Sequence, residues 1–146
     1  MNRKKRWILG CAGVVLALLL AGCALFPDDA GAIYLNWGLE LPKGYTVVYE
    51  RETEASFGGD GLRCHVFTWQ DSSALEELLP WSEEDAEGTI LAKEMLEELE
   101  VPEETWPDFS SCLSWHGNMR EEDPRDQLVI LYIPEGATLW VLESFV

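Results

Sequence analysis

Six residues of this chain could support cysteine or histidine chemistry: Cys11, Cys23, Cys64, Cys112, His65 and His116. A thiolate is a nucleophile and a soft metal ligand, and an imidazole moves protons near neutral pH. Spacing argues against a shared metal centre. Cys64 and His65 are neighbours in a run that reads as a strand, and strand neighbours point to opposite faces, so one ion does not readily join them. Cys112 and His116 are four positions apart, which is no zinc signature by itself. No metal ligand is assigned on these grounds, and no pattern calls for a cofactor. Cys64 and Cys112 leave two readings open. One is a disulfide closing a loop of about fifty residues, worth about 4 kcal/mol in the chain-entropy account. The other is a pair of buried thiols acting as small apolar residues.

Hydrolytic chemistry would need a base and a nucleophile. His65 or His116 could serve as the base, with Ser110, Ser111 or Ser114 attacking, but no Gly-x-Ser-x-Gly elbow frames any of these serines. No catalytic residue is assigned. Acidic clusters at Glu83-Glu84-Asp85, Glu97-Glu98, Glu103-Glu104 and Glu121-Glu122-Asp123 lack the alternating spacing and glycine of an EF-hand loop. They read as a solvated acidic surface, with Asp60, between two glycines, able to offer one calcium ligand. Trp81 and Trp106, each beside a proline, read as the tryptophans most exposed to a partner.

The elements that must position these residues follow from local pattern. Tyr45–Tyr49 is rich in β-branched and aromatic residues, Phe57–Gly61 is a glycine-rich turn, and Leu62–Trp69 is the return strand of a hairpin. Ile33–Leu41 adds a strand before it. Ser73-Ala74-Leu75-Glu76 has capping-box spacing and opens a short helix that Pro80 ends. A second helix spans about Glu84 to Glu100, with Leu91, Met95, Leu96 and Leu99 on one face, Gly88 weakening its first turns and Pro102 beyond its end. Asp108–Trp115 reads as a strand with Leu113 and Trp115 on one face and Cys112 and Ser114 on the other. Leu128–Ile133 and Thr138–Phe145 flank a turn at Pro134–Ala137 and are apolar on both faces, which places them centrally. The expected class is α+β: an antiparallel sheet of four or five strands with helices packed on one face.

Composition sets the outer limits. The chain has 146 residues, enough for one core, and 47% hydrophobic content with seven tryptophans argues against disorder. Four of its ten basic residues lie within the first six positions. From Cys23 onward 6 Lys+Arg face 27 Asp+Glu, a formal charge of −21. A body so acidic is repelled by phosphate backbones, which excludes nucleic-acid binding.

The basic start is followed by an uncharged apolar run, Trp7–Ala21, the order of an export signal. Leu20-Ala21-Gly22-Cys23 at its end resembles the lipobox of bacterial lipoproteins at every position. The resemblance implies a diacylglyceryl thioether on Cys23, cleavage between Gly22 and Cys23, and acylation of the freed amino group by a palmitate-type chain. Residues 1–22 are then a signal peptide, 23–32 a lipidated flexible tether, and 33–146 a single domain on the extracytoplasmic face of a cell membrane. An uncleaved helix over Trp7–Phe26 is the competing reading, since twenty uncharged residues can just span a bilayer. Cys11 follows too short an apolar run to be the lipidated position.

Leu41–Gln70, with its strand, Gly59-Asp60-Gly61 and second strand, resembles small exported proteins of unknown function from Gram-positive bacteria. That resemblance implies an extracytoplasmic body and carries no activity. Three functions are compatible with these features. The foremost is a non-enzymatic, lipid-anchored binding or accessory domain, its acidity favouring a cationic protein or peptide. The second is an acidic inhibitor or immunity-type protein against a basic envelope-acting enzyme. The third is a cell-envelope hydrolase.

Overall fold

The computed structural model describes residues 27–54, 59–119 and 123–146. The expected signal segment, Cys23, part of the expected Phe57–Gly61 turn, and Glu121 and Glu122 lie outside the described residues. The elements run α1 (Asp29–Trp37), β1 (Thr46–Glu52), β2 (Gly61–Thr68), α2 (Ser73–Glu76), α3 (Ala86–Glu98), a 3-10 turn at Glu103–Thr105, β3 (Leu113–Gly117), β4 (Gln127–Ile133) and β5 (Thr138–Phe145).

The five strands form one antiparallel sheet in the order β1-β2-β5-β4-β3, the expected α+β class. The doubly apolar runs occupy interior positions because both of their faces need cover. Val129, Leu131, Trp140 and Leu142 meet Ala92, Met95 and Leu96 of α3 and Leu99 at its C-cap. Leu128, Ile130, Tyr132, Leu139 and Val141 meet Ile33 and Trp37 of α1 and Leu75 of α2. The helices therefore divide between the two faces of the sheet instead of packing on one, and each face has its own core.

α1 replaces the expected strand at Ile33–Leu41. Residues 33, 35, 37, 39 and 41 are apolar at strand spacing, yet Leu35 is left exposed while Ile33 and Trp37, four apart, are buried. The helix wins because both ends are capped. Asp28 accepts from the Gly31 amide at 2.9 Å, and Gly38 at φ +73° ends the helix in the left-handed region, its amide donating to the Tyr34 carbonyl at 2.7 Å. The flexible tether expected over 23–32 accordingly gives way to helix from Asp29 onward.

Two local expectations change in similar ways. In α2, Ser72 holds the cap position without a side-chain bond, and Asp71 accepts from Ser73 N and Oγ, so the Ser73–Glu76 capping box does not form. The strand expected over Asp108–Trp115 begins only at Leu113, because Asp108 engages Ser110 N and Oγ in a turn.

Candidate functional site

His65 sits on β2 with its side chain on the α1 face. Across the β1–β2 ladder it is directly opposite Glu50, and its other neighbour is Val141 of β5. Cys64, the adjacent residue, points to the α3 face and joins that core. α1 lowers Asp29, in its first turn, onto the imidazole: His65 Nε2 is 3.7 Å from Asp29 Oδ1. On the other side His65 Nδ1 is 3.7 Å from Glu143 Oε2. That is ion-pair range but too long for a hydrogen bond.

Glu143 is 1% exposed, a carboxylate inside the central strand. Its Oε1 accepts from Trp37 Nε1 at 2.7 Å and from Asn36 Nδ2 at 3.3 Å, so the C-terminal end of α1 clamps it in place. Burying such a group is tolerated only with partners of this kind. Burial alone would lower the His65 pKa, but Glu143, then Asp29 and Glu50, outweigh it and raise the value above the ordinary histidine range. A cavity of about 400 Å³ opens beside the imidazole, lined by Asp29, Glu50, Arg51, Glu52 and His65. One ligand atom each from Asp29, Glu50 and His65 lie within 4.8 Å of one another, the one such group of three among the described residues.

His116 belongs to a different construction on the opposite face. Asp85 Oδ2 is 2.8 Å from His116 Nδ1 and accepts from Ser114 Oγ at 3.0 Å, while Asp85 Oδ1 accepts from the Gly88 amide at 2.8 Å. One carboxylate thus caps α3 and fastens it to β3. Ser114 donates to the aspartate and not to the imidazole, so no serine–histidine relay is assembled here. Ser110 and Ser111 are tied to Asp108, through its carboxylate and its carbonyl respectively.

The remaining sequence candidates separate. Cys64 and Cys112 are free, buried thiols. β5 and β4 lie between β2, which carries Cys64, and β3, which Cys112 precedes. Three strand spacings are roughly 14 Å, whereas a disulfide needs Cα atoms within about 7 Å. The disulfide reading is therefore replaced by two core thiols. Burial pushes the Cys64 pKa up to about 12, and burial followed by Asp108 pushes that of Cys112 up to about 11. Trp81 and Trp106 are half-buried, with their indole N–H groups donating to the Leu75 and Val101 carbonyls at 2.8 and 2.9 Å. Both lock local turns and are not freely presented aromatics. Glu97, Glu98, Glu103 and Glu104 are exposed, as is Asp60, and none of them enters the group of ligand atoms around His65.

Glu143, Glu50 and Asp29 were not singled out by sequence. A usable signal exists for Glu143: an ionisable residue directly follows Leu139–Leu142, a run apolar on both faces, within the same strand. Glu50 and Asp29 carry no such mark.

Compared with known proteins, the chain matches no family model, no curated protein and no solved structure. Among the described residues, no helix is long and apolar enough to cross a membrane.

Proposed function

We propose that this protein is a lipid-anchored domain on the extracytoplasmic face of a bacterial cell membrane, acting by binding and not by turning over a substrate. The observation that carries the reading is Leu20-Ala21-Gly22-Cys23 at the end of a basic-then-apolar leader. Thioether attachment at Cys23 and a second acyl signal hold a protein to a bilayer stably, where one chain is marginal. α1 begins at Asp29, so only Ala24–Asp28 link the lipidated cysteine to the folded body. At full extension that link spans about 20 Å. The domain thus works close to the bilayer, and its charge of −21 turns it away from anionic head groups and toward cationic partners.

The body is built for binding in this reading, because Ser110, Ser111, Ser114 and His116, the serines and histidine that could have formed a relay, are each engaged in a structural bond. The experiment is mass spectrometry of the protein purified from membranes. The expected N-terminal peptide begins at a diacylated Cys23 with further N-acylation, and Cys23→Ser moves the protein out of the detergent phase. An intact Met1, or an unmodified Cys23 in a membrane-bound protein, overturns the reading.

A further inference from the structure

We propose that Asp29, Glu50 and His65 form a binding site for a divalent transition-metal cation of the Zn²⁺ type. The inference does not depend on the lipid anchor.

The donor set is one imidazole nitrogen and two carboxylate oxygens, drawn from three separate elements: β2, β1 and the first turn of α1. Three ligands on a tetrahedral ion with bonds of about 2.1 Å stand about 3.4 Å apart. His65 Nε2 and Asp29 Oδ1 are already 3.7 Å apart, and all three ligand atoms fall within 4.8 Å. Closure onto an ion asks for small side-chain movements, and Glu50 is exposed and free to make the largest. The cavity of about 400 Å³ beside them leaves room for water at the fourth position.

The second observation lies behind the histidine. His65 Nδ1 is buried and has no hydrogen-bond partner, and the buried Glu143 carboxylate stands 3.7 Å from it. A histidine that gives Nε2 to a metal carries its proton on Nδ1 and donates it to an acceptor, very often a carboxylate. Glu143, clamped by Trp37 and Asn36, is placed to be that acceptor, so ion binding would supply the hydrogen bond this geometry lacks. Charge points the same way. Asp29, Glu50 and Glu143 surround a single imidazole, which leaves excess negative charge for a dication to neutralise. The nitrogen ligand selects against calcium and magnesium, which take oxygen sets, and the absence of a thiolate from the group selects against soft ions such as Cu(I).

The test is titration calorimetry of the full-length protein in detergent micelles with ZnCl₂, after treatment with a chelator. One Zn²⁺ per chain is expected, with CaCl₂ unable to compete. His65→Ala and Glu50→Gln should each weaken binding at least about tenfold, and Glu143→Gln by about ten- to a hundredfold as a positioning residue. His116→Ala should leave binding unchanged. Glu50 is exposed, so Glu50→Gln keeps the test decisive even if His65→Ala fails to fold. No binding to the wild-type protein overturns the proposal. So does equal binding by the wild-type and Glu50→Gln proteins, or loss of binding in His116→Ala alone.

Discussion

Gly88 lies directly beneath the carboxylate of Asp85: a Cβ at position 88 would stand 2.2 Å from Asp85 Oδ2. The missing side chain lets Asp85 fold back over the N-terminus of α3 and reach Ser114 and His116 of β3 at the same time. Gly88 is buried in this role. What reads as a weak point by helix propensity is the residue that allows the helix to be docked.

Gly88→Ala should therefore lower stability, although glycine to alanine inside a helix ordinarily raises it by about 1 kcal/mol. The added methyl displaces Asp85 and costs its three hydrogen bonds. In an Asp85→Ala background the same substitution should recover its ordinary gain. Urea unfolding of the four proteins in this cycle measures the coupling, and additive effects would show that the two residues act separately.

Asp85 also makes stability depend on acid. Partial desolvation raises its pKa, but the bonds from His116, Gly88 and Ser114 outweigh this and hold it below the usual value of 3.8. A carboxyl lowered in the folded state contributes stability that is present above its unfolded pKa and is lost as pH falls through the folded one. Asp85→Asn should be less stable than wild type by about 1–2 kcal/mol near neutral pH, the range for losing a helix cap. That gap should narrow below about pH 4. Urea midpoints compared between about pH 6 and pH 2 would reveal it; a constant gap would mean that the charge is not what holds the cap.

Glu143→Leu should destabilise the protein by about 1–3 kcal/mol, because the buried Trp37 Nε1–H loses its acceptor. Glu143→Gln should cost less, since its amide oxygen can still accept that bond. Chemical unfolding gives the energies, and tryptophan fluorescence should change more in the leucine variant.

Neither Cys64 nor Cys112 should react with a thiol reagent in the native protein near pH 8, since burial holds both thiols protonated. Both should react fully in urea. Oxidant should leave the folded monomer without a Cys64–Cys112 crosslink, visible as unchanged mobility without reductant.

Leu96→Ala should cost about 2–5 kcal/mol by opening a cavity in the core between α3 and the sheet. Ile90→Ala, on the exposed side of the same helix, should change stability by less than about 0.5 kcal/mol. Thermal or urea unfolding of the two variants separates the faces.

Several elements were legible from local pattern because their signals agree. α3 has its apolar stripe and a proline beyond it, and the β4–β5 hairpin has two doubly apolar runs around a short turn. α1 was misread because alternation from Ile33 to Leu41 imitates a strand, while the caps that decide the matter are single residues, Asp28 and Gly38. Opposite faces for Cys64 and His65 followed from strand geometry alone and hold in the fold.

Sequence by itself determined the acidic body and the mixed α+β class, and it is the whole basis of the proposed export leader and its cysteine, since each is read from residue types in a short window. Tertiary structure alone decided that Asp29, Glu50, His65 and Glu143 would converge, and that Cys64 and Cys112 would not. The reason is physical. Strand order and the face on which a helix lands are set by burying apolar surface across the whole chain, and no window of neighbouring residues records which distant strand that burial brings alongside.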